Sequence, residues 1–200
     1  MKKNPLFGGL VGCLLFAAAA HASPVLTLDP PSGAISGTPG TTIGWGFSLT
    51  NTTDYVVITG SQFCDASSSP LPDICLPVSP DLGSYADLAG LQFLVVGPSP
   101  ESTTISQVFD ASLLTGIGSF AIDPSASGTS SGIIVLTYDL FSVSPNDPTF
   151  SPDDEISGGN FLTAAASATV VPEPGSLVLL GAGLVAAGLH RKRVLGGGGW

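Results

Sequence analysis

Thr42-Ile43-Gly44-Trp45-Gly46-Phe47-Ser48-Leu49-Thr50 alternates strictly between apolar and small or polar residues. Ile43, Trp45, Phe47 and Leu49 fall on one side; Gly44, Gly46 and Ser48 fall on the other. Successive side chains of a strand point to opposite faces, so this period of two is what a half-buried β-strand requires. Asn51-Thr52-Thr53 follows as a turn into Asp54-Tyr55-Val56-Val57-Ile58-Thr59, which predicts a hairpin between the two runs.

Outward from this pair the text is rich in Gly, Ser, Thr and Pro, with apolar runs of strand length. Further strands are expected over 91–96, 103–109, 118–122, 132–142 and 161–170. Ile133-Ile134-Val135-Leu136 is apolar on both faces, as a central strand would be. Asp123-Pro124, Pro145-Asn146-Asp147-Pro148 and Ser157-Gly158-Gly159-Asn160 punctuate the rest. Helical periodicity is confined to a short turn at Tyr85–Ala89. Seven to nine short strands between turn signals predict an all-β fold, a single β-sandwich burying Ile43, Trp45, Phe47, Ile134, Leu136 and Phe161. Pro39-Gly40-Thr41 with the Trp45 strand and Asn51 resembles the opening of immunoglobulin-like modules on bacterial surface proteins, which implies an immunoglobulin-like sandwich.

Charge divides the chain more sharply than hydropathy. Of 200 residues 44% are apolar and 10% charged, and mean hydropathy is +0.46. All five basic residues are terminal: Lys2, Lys3, Arg191, Lys192 and Arg193. All 15 acids lie between them, and the histidines are His21 and His190. The centre is acidic and has no basic side chain. Binding a phosphate backbone requires Lys or Arg to displace counterions, so nucleic acid is excluded as a partner. Catalysis through Ser-His-Asp or Cys-His needs an imidazole, and Schiff-base chemistry needs a lysine. Carboxylate-pair glycoside hydrolysis is the enzyme class left open.

Both ends read as addresses. Lys2-Lys3, an apolar run from Leu6 to Ala20 and Ala20-His21-Ala22 form a secretory signal over residues 1–22, cut by signal peptidase between Ala22 and Ser23. Leu10-Val11-Gly12-Cys13 also resembles a lipobox, yet Cys13 sits inside the apolar run where a lipobox would close it. At the other end, Pro172-Glu173-Pro174 precedes an apolar segment at 175–189, then His190 and Arg191-Lys192-Arg193. Fifteen residues rise about 22 Å as a helix, against a hydrocarbon core of roughly 30 Å. Basic residues that snorkel, with local bilayer thinning, make up the difference. The positive-inside rule puts the basic end in the cytoplasm and the 23–171 domain outside.

Order and spacing in this tail resemble the PEP-CTERM sorting signal of Gram-negative bacteria. The resemblance covers about the last thirty residues. It implies processing by an exosortase, an integral-membrane cysteine transpeptidase. It also implies delivery of the carrier to the envelope or an extracellular polysaccharide matrix, with exopolysaccharide as a potential associate. Residues 172–200 form this tail, and Val194–Trp200 extends past the basic cluster where such tails normally stop.

Within the domain, Cys64 and Cys75 enclose ten residues. In an oxidising compartment an even, closely spaced pair reads as a disulfide; no histidine or Cys-x-x-Cys spacing supports a metal or redox site. Asn146–Glu155 is the densest acidic segment and the candidate Ca²⁺ loop, although it lacks EF-hand spacing. The function expected is an exported structural or matrix-associated surface protein without enzymatic activity, catalytic residue or cofactor. A carbohydrate- or Ca²⁺-binding module is the alternative, and a glycoside hydrolase a more distant one.

Overall fold

A computed structural model describes residues 23–69, 71–101, 103–172 and 175. Ten strands are present among them: β1 (Val25–Asp29), β2 (Ala34–Gly37), β3 (Thr42–Thr50), β4 (Tyr55–Cys64), β5 (Gly83–Asp87), β6 (Val95–Val96), β7 (Thr104–Gln107), β8 (Gly118–Ile122), β9 (Gly128–Phe141) and β10 (Glu155–Val170). One sheet runs β1-β3-β8-β5, with β7 also on β3; the other runs β2-β10-β9-β4-β6. All pairings are antiparallel except β2 on β10. Inward residues of both sheets share one core, so the domain is an all-β sandwich.

The strand predicted at 42–50 is β3, and Trp45, Phe47 and Leu49 are its buried side chains. Ile43 is only partly buried, packed against the rim of the core. The Trp45 ring lies 5.2 Å from Phe63 and 6.3 Å from Tyr85, and Phe63 meets Phe120 edge-on at 6.0 Å. Offset and edge-on contacts of this kind suit the quadrupoles of aromatic rings. β9 lies between β10 and β4, with Ile134, Val135 and Leu136 fully buried, as expected of the central strand.

A buried indole N–H needs an acceptor. Trp45 Nε1 donates to the Gly33 carbonyl at 2.7 Å, and the Ser167 N–H of β10 donates to the same oxygen at 2.9 Å. Gly33 sits in the turn between β1 and β2 at φ +67°, and a Cβ there would lie 2.0 Å from the Ala165 carbonyl oxygen. Both the backbone angle and the space require glycine.

Four sequence expectations are corrected. The predicted hairpin is absent: β3 and β4 belong to opposite sheets, and 51–54 carries the chain across the sandwich. One edge of β3 is taken by β1 and the other by β7 and β8, so β4 has no free edge there. Asn51, 1% exposed, braces the crossing: its backbone N–H reaches Thr103 O at 2.8 Å and its side-chain amide donates to Asp54 O. The strand expected over 91–96 shrinks to Val95–Val96, because Leu88–Gln92 forms turns that leave Leu91 and Phe93 outside. The helical turn at Tyr85–Ala89 is instead the end of β5, where Tyr85 pairs with Phe120.

Phe161 was expected in the core and is 40% exposed. Its register partner is Thr137, whereas Leu162 pairs with Leu136, so the even-numbered residues of β10 face inward. A shift of one position exchanges the faces of a strand. Trp45→Ala should therefore cost about 3–5 kcal/mol, and Phe161→Ala under about 1 kcal/mol. Urea unfolding of the two variants checks the contrast, which similar losses would contradict.

Candidate functional site

The described residues nearest the two expected processing points, Ser23 and Pro172, adjoin opposite ends of the sandwich: Val25 pairs with Thr50, and Val170 with Gly37. At the amino end, Ser23 is exposed, Pro24 is buried and β1 begins at Val25. Ser23 and Pro24 line a cavity of about 380 Å³ with Thr53, Asp54, Tyr138, Leu140, Ile156 and Asn160. Tyr138 and Leu140 come from the last third of β9, and Ile156 and Asn160 from the start of β10. Burial holds the Tyr138 phenol above its usual pKa.

At the carboxyl end β10 stays paired to its last residue. Val170 is opposite Gly128 on one side and Gly37 on the other. The Val171 N–H adds a bond to the Gly37 carbonyl at 2.8 Å, and Pro172 is then exposed. No linker separates sheet from motif. Asn160 and Val170 are ten residues apart on one strand, about 33 Å at the usual rise. Ala22, Glu173, Pro174, Arg191, Lys192 and Arg193 lie outside the described residues, as does the 175–189 segment apart from exposed Gly175. Among the described residues no helix is long and apolar enough to cross a membrane.

The disulfide is present: Cys64 and Cys75 are bonded, with Cα atoms 5.0 Å apart. Cys64 ends β4 and is fully buried, so the bridge fastens the following loop to that strand. The Asp65 N–H to Leu76 O bond at 2.9 Å continues the closure. A loop of this size contributes about 3 kcal/mol in the chain-entropy picture.

Several of the carboxylates are occupied by their own turns. Asp65 Oδ1 accepts from the Ser67 N–H at 2.8 Å and hydroxyl at 2.6 Å. Asp110 does the same with Ser112 and also accepts from the Leu113 N–H. Asp147 repeats the pattern with Thr149. In the expected Ca²⁺ loop, Asp154 caps the turn at Pro152–Asp154 by accepting from the Ser151 N–H at 2.7 Å. Among the described residues no three His, Cys, Asp or Glu side chains come together as a metal group. The acidic run is a capped turn, not a cluster of converging ligands.

Sequence reasoning missed one polar cluster. Ser61 Oγ of β4 is 2.8 Å from Tyr85 Oη, 2.6 Å from Asp87 Oδ1 and 2.7 Å from the Ile117 carbonyl. Burial pushes the Tyr85 phenol far above its usual range. Ser61 is 5% exposed, so the cluster ties the two sheets together and offers no open nucleophile. Only spacing across 24 residues would have revealed it, and no local pattern records that distance. The aromatic strip that sugar binding would favour is also missing. Trp45 is wholly buried, and the exposed rings among the described residues, Phe93 and Phe161, sit on a loop and on β10.

What remains is the tail, and here comparison with known proteins is decisive. The family described as the PEP-CTERM protein-sorting motif matches residues 170–193. The chain carries a PEP-CTERM sorting motif. The match opens on Val170, the last residue of β10, and closes on Arg193. This motif implies export and exosortase-dependent sorting. No curated protein matches the chain.

Among solved structures, WR4, an MSP family member of C. elegans, is similar at 10% identity, covering 73% of this chain and 97% of its own, with TM-score 0.33. The CaDoc0917–CaCohA2 complex gives 19% identity, 74% and 100% coverage and TM-score 0.27. A type I cohesin–dockerin complex of Clostridium thermocellum gives 10%, 75% and 100%, and TM-score 0.30. At these identities and scores the likenesses carry no functional argument.

Two measurements check the site chemistry. Thiol labelling of the unfolded, unreduced exported protein should find neither Cys64 nor Cys75 reactive; labelling of both would contradict the bridge. Hydrogen bonds from Ser67 and Ser112 hold the Asp65 and Asp110 carboxyls below the usual carboxylate range, and those from Thr149 do so for Asp147. Folded values below the unfolded ones mean the turns contribute stability above about pH 3.9 and lose it as pH falls through the folded values. In NMR titration, Ser67→Ala should raise the Asp65 midpoint and leave that of Asp110 unchanged.

Proposed function

We propose that this chain is an exported, non-enzymatic surface or matrix-associated protein, cut by an exosortase within its C-terminal tail. The observation that carries the reading is the PEP-CTERM match at 170–193, which begins where β10 ends. In this reading residues 1–22 are removed by signal peptidase. Residues 23–171 form an immunoglobulin-like module, and 175–189 holds the precursor in the inner membrane until exosortase acts. The basic residues Arg191, Lys192 and Arg193 keep the far end cytoplasmic.

Geometry supports the division of labour. Proline lacks a donor N–H and restricts the residue before it, so Pro172-Glu173-Pro174 favours an extended, non-helical segment. With Pro172 exposed and β10 paired up to Val170, a protease acting beyond the last strand residue leaves the sheet intact. The amino-terminal cavity then stands at the end of the sandwich remote from the membrane. A non-enzymatic role is supported by the lack of any basic side chain over residues 23–172 and by the single carboxylate, Asp54, in that cavity. Most retaining and inverting glycosidases use a pair. Association with exopolysaccharide is the matrix partner this reading allows.

The test is processing in an exosortase-bearing host. Intact-mass measurement of the exported protein should find a start at Ser23 and the segment after Pro174 missing. Glu173→Ala should leave the tail attached. An intact tail on the exported wild-type protein would reduce it to a membrane anchor, and unchanged processing of Glu173→Ala would remove the motif from enzyme recognition.

A further inference from the structure

The domain has an unusual electrostatic composition. Over residues 23–172 there are 14 acids (all 15 except Glu173) and no Lys, Arg or His. No side-chain ion pair can therefore form within it. The cavity at the amino end contains one of those acids, Asp54, half-buried in the crossing between β3 and β4. Its backbone carbonyl accepts from Asn51, but its carboxylate has no hydrogen-bond partner among the described residues. Ser23 lines the same cavity.

We propose that removal of the signal peptide completes this cavity, because the α-ammonium created on Ser23 docks beside Asp54 as the domain's only cation. The inference rests on cleavage between Ala22 and Ser23. Hydrolysis of that peptide bond consumes one water, leaving a carboxylate on Ala22 and an amine on Ser23 that takes up the proton. In the precursor the same nitrogen is a neutral amide. Cleavage thus places a positive charge on a wall shared with an unpaired carboxylate, in a negative field with no competing cation. Pro24 is buried and Val25 is in register with Thr50, so the new terminus has little freedom to leave.

The consequence falls on β1, whose one strand partner among the described residues is β3. A tie from Ser23 to Asp54 fastens the start of β1 to the crossing that follows β3. The cut that frees the domain from its signal peptide would therefore also strengthen its first strand, giving a precursor more loosely closed than the mature protein. The titratable groups around the cavity are otherwise engaged: Tyr55, next to Asp54, donates to Glu101 at 2.8 Å, and Asp147 accepts from Thr149. Tyr138 is neutral at ordinary pH, Asp139 accepts from the Gly159 N–H, and the Glu155 carboxylate lies beside Gly158.

The sequence makes a clean experiment possible. After signal removal the full chain has two amines, Ser23 Nα and Lys192 Nζ. The full exported chain, purified in detergent, is first checked by intact mass. A start other than Ser23 overturns the cleavage reading and this inference with it. With a Ser23 start, acetylation rates of the α-amine are followed against pH by peptide mass spectrometry. The expected midpoint is about one unit or more above the ordinary 7.7–8.0, and Asp54→Asn should return it to that range.

An ordinary midpoint in the wild-type protein, or an elevated one that survives Asp54→Asn, overturns the proposal while leaving the processing reading intact. Melting provides a readout that does not depend on folding of the variant. A raised amine pKa means stability fully present below the unfolded value and lost as pH rises through the folded one. N-acetylated wild-type protein should melt below the unmodified protein at pH 6, and the gap should close by about pH 10, above the raised midpoint. Equal melting at pH 6 counts against the proposal.

Discussion

The contact between the Trp45 indole and the Gly33 carbonyl holds a disproportionate share of this fold. One oxygen accepts from β3 of the first sheet and from the Ser167 N–H of β10 in the second, while belonging to the turn between β1 and β2. Both lone pairs are used, and a buried donor left without such a partner would carry its full desolvation penalty. The ring itself is fully buried against Phe63 and Tyr85. The small inward side chains of β10, Ala164, Ala166 and Ala168, line the far side of the same core. Closeness here is also why residue 33 is glycine.

A second constraint is the lack of cations. A domain with 14 acids and no basic side chain cannot use salt bridges to position its loops. It uses short aspartate turns instead, at Asp65, Asp110 and Asp147, each satisfied by a Ser or Thr two residues on. Hydrogen bonds to an ionised acceptor are the stronger kind, and they need no partner from another element. The carboxylates thus leave the domain uniformly negative while some of them double as loop staples. Between the sheets, Asp87 plays the corresponding role through Ser61.

The two ends of the domain follow one logic. Strand β1 starts two residues after Ser23, and the sorting motif starts on the last residue of β10. Structure therefore runs almost to both of the proposed processing points. The last four residues of β10 are paired on both sides, with β2 and with β9.

The sequence by itself determined the strand at 42–50, the central strand at 133–136, the disulfide pair and the sorting tail. Each of these is encoded in contiguous residues or in a spacing of a few positions: a period of two, two cysteines in an oxidising compartment, an ordered motif. Tertiary structure decided the rest. Asn51-Thr52-Thr53 reads equally as a hairpin or as a crossing, and the occupied edges of β3 made it a crossing. Phe161 lies in a run where Phe161 and Leu162 both invite burial, and pairing with Leu136 chose Leu162. The acidic run at 153–155 resembles a ligand loop in composition, but its middle carboxylate, Asp154, is committed to capping the turn, and no three acidic, His or Cys side chains converge among the described residues. The cavity that joins Ser23 to Asp54, Tyr138 and Asn160 draws on segments more than a hundred residues apart. Pattern and spacing are local properties of the chain; sheet edges, faces and cavities arise only when distant segments compete for the same neighbours.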